Sequence, residues 1–308
     1  MLAAKDCGVT DFPRRVTVSD GGVRYKATDS IPPILRLALF MQQKGIRGGY
    51  RLEEMARARG WLNYLVRFRL PNGVRIDIPA DSESYRLGNI LTYESSLFRL
   101  LAPRIMESDR PVLLLDCGAD IGLFSAHMVS ACARIKRLIA FEPNSRSFPL
   151  LQSNLKLLPV YSEARNMAVA DFNGMGELRY PPHDSDDHAA FIVPSDEGGI
   201  QVVRIDDLDL PQGYRILMKI DVEGGELAVV NGARDVLSSC DRFVVVFEAH
   251  REQVRRTGID PLKVVSFLET IRPCSRFVAE DPDREIDPER PFFEQFPGRV
   301  YNICVFSE

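Results

Sequence analysis

The run Val112-Leu113-Leu114-Leu115-Asp116-Cys117-Gly118-Ala119-Asp120-Ile121-Gly122-Leu123-Phe124 is apolar up to an acidic residue, breaks on two glycines and then takes up helical spacing. This pattern predicts a strand buried on both faces, a tight loop and the first turn of a helix. A strand buried on both faces belongs in a parallel sheet covered by crossover helices, which constrains the rest of the chain to an alternating α/β plan. Gly118 and Gly122 lack a Cβ, so the backbone can bend sharply there. A ligand can then lie against amides at the positive end of the following helix. A nucleotide-type ligand suits such a place.

Glu142 stands twenty residues past Gly122, at the end of the next apolar run, Arg137–Phe141. A carboxylate there can accept both hydroxyls of a ribose. The order Asp116-x-Gly118-x-x-x-Gly122, with Cys117 and Ala119 beside the first glycine, is not the G-x-G-x-x-G of a pyrophosphate binder. The loop therefore fits an adenosine ligand without a diphosphate, and a nicotinamide-dependent oxidoreductase is disfavoured.

Three segments carry a family resemblance: Asp116–Gly122, Phe141-Glu142-Pro143-Asn144 and Lys219-Ile220-Asp221-Val222-Glu223-Gly224-Gly225-Glu226. On these the chain resembles the FkbM-type family of S-adenosylmethionine-dependent methyltransferases, over roughly residues 85–306. The family usually carries Asn where this chain has Asp120. The resemblance implies a doubly wound, mostly parallel seven-stranded sheet of the Rossmann-like class I methyltransferase type. It also implies S-adenosyl-L-methionine as cofactor and a small-molecule acceptor, a hydroxyl of a sugar or secondary metabolite. In that scheme Asp116, Gly118, Ala119, Asp120 and Gly122 surround the methionine tail, Glu142 holds the ribose, and Pro143 and Asn144 shape the adenosine wall. Ala168 and Asp171, at the end of the third strand, fall where the family places adenine contacts, and Tyr93 and Glu94, opening a helix, fall near the cofactor. N-methylation and a nonenzymatic adenosyl-ligand binding protein are the alternatives on the same fold.

Two parts are expected along the chain. Residues 1–84 hold a possible strand at Val23–Ala27, helices at Ile34–Met41 and Leu52–Arg59, and a hairpin of Leu62–Leu70 and Val74–Ile78 turned by Pro71-Asn72-Gly73. In the family a related strand pair often caps the cofactor end of the sheet, and the leading helices also offer a surface for a homodimer. Residues 85–308 form the methyltransferase domain. Its expected strands are Val112–Asp116, Arg137–Phe141, Tyr161–Val169, Ile216–Ile220, Phe243–Phe247, Arg276–Ala279 and Val300–Phe306. Its expected helices are Gly122–Ala133, Ser145–Leu157, Gly224–Ser238 and Pro261–Ile271. Glu177–Tyr180 and Gln201–Arg204 read as an added hairpin around a long polar loop, Pro181–Gly199, of the kind that serves as a lid or stays solvated. His183 and His188 lie in that loop among Asp184, Asp186 and Asp187.

Methyl transfer to oxygen is an in-line displacement, so a protein must align the groups, exclude water and take a proton from the hydroxyl. Reacting groups in open parallel sheets gather at the carboxyl ends of the central strands. Asp221 and Glu223 follow the fourth strand, Glu248 and His250 the fifth. Asp221 and Glu223 are read as groups that orient substrate hydroxyls or the cofactor amine, and His250, beside Glu248, as the general base. A divalent cation held by these four residues is the less favoured alternative, with Mg²⁺ or Mn²⁺ better suited to the oxygen ligands than zinc.

A net charge of −4 and a pI near 5.7 disfavour nucleic acid as a partner. The six cysteines form no C-x-x-C pair, which suits free thiols and a cytoplasmic protein. The run Ile31–Met41 is too short to span a bilayer and contains Arg36, so no membrane partner is expected.

Overall fold

The computed structural model describes residues 19–20, 23–82, 87–179 and 191–308. Seven strands build the main sheet: β1 (Val112–Cys117), β2 (Ile135–Phe141), β3 (Tyr161–Arg165), β4 (Arg215–Ile220), β5 (Phe243–His250), β6 (Cys274–Val278) and β7 (Val300–Ser307). Their spatial order is β6-β7-β5-β4-β1-β2-β3. The first five run parallel, and β7 lies antiparallel between β5 and β6. Every residue of β1 and of β4 is buried, the reason both segments are mostly apolar, with Asp116 in β1 and Arg215 and Lys219 in β4 as the charged exceptions. Strand order reverses between β1 and β4, so the crevice at their carboxyl ends is where a ligand can enter.

Two apolar clusters sandwich this sheet, and the two-residue period of β1 assigns its side chains between them. Val112 and Leu114 join one cluster, Leu113, Leu115 and Cys117 the other. The amino-terminal region supplies α1 (Pro33–Gln43), α2 (Gly49–Ala58) and a hairpin of Tyr64–Arg69 with Arg75–Pro79. Lys26–Thr28 adds to the hairpin as a parallel third strand. The hairpin packs beside α3 (Ser95–Met106), α4 (Leu123–Ala131) and α5 (Phe148–Leu155). Leu62, Leu65, Ile76 and Ile78 thus share one core with Leu114, Leu138 and Leu151, and position 84 does not divide two separate cores.

Buried polar bonds fix that docking. Asn154 on α5 accepts from the Asp77 amide at 2.9 Å and donates to the carbonyls of Asp77 at 3.0 Å and Ile121 at 2.9 Å. Arg67 holds the Asp77 carboxylate from both sides, at 2.6 and 2.7 Å. The hairpin therefore braces the loop after β1 from the side. It does not cap the ligand end of the sheet, because none of its residues lines the crevice.

Other expectations are redrawn. The strand expected over Tyr161–Val169 stops at Arg165, and Ala168–Val169 leaves the main sheet to pair with Ile200–Val203. The helix expected over Gly224–Ser238 is two, α6 (Glu226–Asn231) and α7 (Arg234–Ser239), with Gly232 pressed against the Ala170 carbonyl between them. Two further helices follow, α8 (Arg251–Thr257), absent from the sequence reading, and α9 (Leu262–Ile271). The hairpin expected between Glu177–Tyr180 and Gln201–Arg204 is not the one formed: Gly174, Met175 and Gly176 pair with Ile200–Val203, while Glu177, Leu178 and Arg179 pair with Phe191–Pro194, a strand inside the segment read as loop. With Ala168–Val169 these make a separate four-stranded sheet. His183, His188, Asp184, Asp186 and Asp187 lie outside the described residues.

Candidate active site

A cavity of about 720 Å³ opens at the carboxyl ends of β1, β2, β4 and β5. Its floor comes from Gly118 and Asp120 after β1, Phe141 to Asn144 at the end of β2, Met167 to Phe172, Asp221 to Gly225 after β4, and Glu248 on β5. The small sheet covers it with Leu178 and Phe191–Pro194. Arg256 of α8 lies 4.2 Å from the centre of the Phe191 ring and closes the rim.

Gly118 is dictated by a close approach. Its φ is +82°, and a Cβ there would collide with the Asp221 carbonyl. The Asp221 amide bonds the Cys117 carbonyl at 2.8 Å, so the two loops that meet across the switch point are held together. Asp120 has φ +46°, a left-handed conformation that Asp and Asn tolerate better than other side chains, which is a backbone reason for either residue here. The Glu142 carboxylate lines the cavity and also accepts from the amides of Asp120 and Asn144, each at 2.7 Å. Asn166 donates to the Glu142 carbonyl at 2.8 Å.

Beside the cavity, four acidic side chains surround a buried lysine. Lys219, 1% exposed, stands in β4 beside Asp116 of β1, with its ammonium 3.3 Å from Asp221 Oδ2. Burial works against that charge, but Asp221, Glu94, Glu248 and Asp116 together outweigh it and hold the proton on. The carboxyls shift the other way. Burial pushes Glu248 up to about 8, reinforced by Asp221 and opposed by Lys219. Burial raises Glu223 to about 7, reinforced by Asp221, while Gln253 donates to Glu223 Oε2 at 2.9 Å and opposes the rise. Burial brings Asp116 to about 6, against the Ser125 hydroxyl at 2.5 Å and the Lys219 charge. Glu94 is raised chiefly by burial as well, and its Oε2 is buried without a hydrogen-bond partner among the described residues.

Of the expected residues, Gly118, Asp120, Glu142, Pro143, Asn144, Ala168, Asp171, Asp221, Glu223 and Glu248 converge on the cavity. Others do not. Gly122 begins α4 in a left-handed conformation and faces Leu151; Ala119 is buried, its amide bonded to the Phe141 carbonyl at 2.9 Å. Asp116 and Glu94 belong to the layer around Lys219, and the Tyr93 ring packs 5.6 Å from His127 and 6.4 Å from Phe98. His250 does not line the cavity either. Its Nδ1 accepts from the Glu252 amide at 3.2 Å as the N-cap of α8, and desolvation together with Arg299 lowers its pKa. Among the described residues no group of three or more His, Cys, Asp or Glu is placed to hold a metal ion.

The sequence reading placed Lys219 in the acidic motif but gave it no role, and it did not find the part of the cavity wall made by Phe191–Pro194 and Arg256. A charged residue within Ile216-Leu217-Met218-Lys219-Ile220 is a visible signal, since a cation in an otherwise apolar buried strand needs partners. Gln253, Arg256 and the roof strand carry no comparable mark.

Comparison with known proteins identifies the family. The methyltransferase FkbM domain model matches residues 116–274, from the acidic end of β1 to the start of β6. A hexuronic acid methyltransferase, AglP, of Haloferax volcanii is 27% identical over 198 residues, covering 63% of this chain and 75% of that protein. Among solved structures, an FkbM methyltransferase from Methylobacillus flagellatus aligns with 15% identity and a TM-score of 0.39, over 89% of this chain and 76% of that one. TYW2 of P. horikoshii aligns with 14% identity and a TM-score of 0.40, over 94% and 88%. With the domain model covering just over half its length, from the glycine loop through the acidic motif after β4, the chain belongs to the FkbM methyltransferase family and is an S-adenosylmethionine-dependent methyltransferase.

Proposed function

We propose that this protein methylates a hydroxyl of a sugar-type small molecule, with Glu248 taking the hydroxyl proton. The observation that carries the reading is one continuous cavity lined both by Gly118, Asp120 and Glu142, the residues expected at a cofactor, and by Asp221, Glu223 and Glu248, the carboxylates expected at an acceptor. Its volume of about 720 Å³ is in the range that encloses ligands of this size. The residues present fit the cofactor: a carboxylate in Glu142 able to accept from a ribose, apolar walls in Phe141, Met167 and Val169, and the carboxylates of Asp221, Glu223 and Glu248 suited to a cationic sulfonium and amine. S-adenosylmethionine, when bound, supplies an electrophilic methyl group on a sulfonium.

The protein's part is placement and proton transfer. Asp221, anchored by Lys219, presents a carboxylate that accepts a hydrogen bond from an acceptor hydroxyl and orients it. Glu248, raised to about 8, is a stronger base than an ordinary carboxylate once ionised, and takes the proton as the new bond forms. The roof strand Phe191–Pro194 keeps water out. His250, engaged as a helix cap outside the cavity, is given no role in proton transfer. The relative named as a hexuronic acid methyltransferase supports a sugar as acceptor.

The test is mass spectrometry of hexuronic acids and neutral hexoses incubated with enzyme and labelled methyl donor. The expected product carries one added methyl ether and is absent with Glu248→Gln. Methylated amines, or unchanged turnover in that variant, would overturn the reading.

A further inference from the structure

Eleven large apolar side chains are exposed among the described residues, and six of them fall between positions 33 and 61: Leu37, Phe40, Ile46, Tyr50, Met55 and Trp61. The same 29 positions hold six basic residues against two acidic ones, Glu53 and Glu54, in a chain whose net charge is −4. Leu37, Phe40 and Lys44 follow i, i+3, i+7 spacing, so they lie along one side of α1 and its final turn. The two helices pack tightly against each other. Gln42 donates to Glu53 Oε2 at 2.7 Å, and Gly49 packs so tightly on α1 that a Cβ would come within 2.9 Å of the Ala38 carbonyl. The Arg59 guanidinium lies 5.2 Å from the Trp61 ring centre, joining a cation to an amphipathic aromatic at the tip. None of these residues lines the cavity.

We propose that the α1–α2 hairpin docks on the anionic surface of a lipid bilayer. Aromatic and aliphatic side chains surrounded by arginine and lysine are what an interfacial helix needs: the apolar groups enter the headgroup boundary and the cations meet lipid phosphates. The charge selects this occupant over a second copy of the chain, since two basic faces brought together repel. Leu37, Ile46 and Met55 have no stacking role toward a nucleic acid. No helix among the described residues is long and apolar enough to cross a membrane, so the contact is peripheral. The linear sequence, read only for spanning segments, does not disclose it.

Trp61 is the single tryptophan, so its emission reports this surface directly. With vesicles of phosphatidylcholine and phosphatidylglycerol at low salt, the expected result is a blue shift of that emission and co-sedimentation of the protein. Both should be absent with phosphatidylcholine alone and reversed by high salt. Arg47→Gln with Arg51→Gln should weaken partitioning roughly thirtyfold, while turnover of a soluble acceptor stays unchanged. Absence of the shift with anionic vesicles, equal binding to both vesicle types, or light scattering that shows a dimer with Trp61 shielded in the absence of lipid would each overturn the proposal.

Discussion

Replacing Lys219 by methionine tests whether the acidic layer depends on that one ammonium. The substitution roughly preserves side-chain volume, so its main effect is electrical. At 3.3 Å, and with an effective dielectric near 20, the attraction between Lys219 and Asp221 is about 5 kcal/mol, part of which the cost of burying the ammonium offsets. A net loss of about 3 kcal/mol is expected at neutral pH, in line with breaking a buried pair from one side. The pH dependence separates this from a packing defect. Without Lys219 the folded-state pKa values of Asp116, Glu94 and Glu248 rise further, because that ammonium opposes the rise in each. An acid whose folded pKa exceeds its unfolded value stabilises the fold fully below the unfolded value, near 4, and loses that stability as pH climbs through the folded value. The deficit of the variant should therefore be large near pH 8 and shrink toward pH 5.5, as the carboxyls take up protons. Urea unfolding followed by circular dichroism at both pH values measures it. A deficit below about 1 kcal/mol, or one that does not change with pH, would refute the argument.

Three further outcomes are expected. Gly118→Ala combines left-handed strain of about 1–2 kcal/mol with a collision at the Asp221 carbonyl, so calorimetry should find weakened binding of S-adenosylmethionine along with lost stability. Asn154→Leu strands the Asp77 amide and two carbonyls in the core, and chemical denaturation should register a loss of at least about 3 kcal/mol. If Glu248 is the base, turnover rises with pH through about 8 as the carboxyl ionises, and a rate profile of Glu248→Gln lacks that rise.

The fold was legible where local pattern and tertiary environment agree. The run Val112–Leu115 is apolar because both faces of β1 are covered, and Glu142 ends the next apolar run because that run is the neighbouring strand. The third strand was misread because leaving one sheet for another is a tertiary event. Nothing in Asn166-Met167 announces that Ala168–Val169 pairs with Ile200–Val203. The same holds for Phe191–Pro194, whose strand conformation comes from a partner about fifteen residues back.

Sequence alone determined the glycine loop, the cavity-lining carboxylate of Glu142 and the acidic motif after β4, since each is a matter of residue type at fixed spacing along neighbouring elements. Only the tertiary structure decided which charges meet. It joins Lys219 to Glu94, Asp116, Asp221 and Glu248, from α3's start and three different strand ends, and turns His250 into a helix cap outside the cavity. It also leaves Leu37 and Phe40 of α1 and Tyr50 and Met55 of α2 facing solvent. Spacing sets which side of a strand or helix a residue occupies; burial, and with it every shifted proton, depends on what the rest of the chain packs against that side.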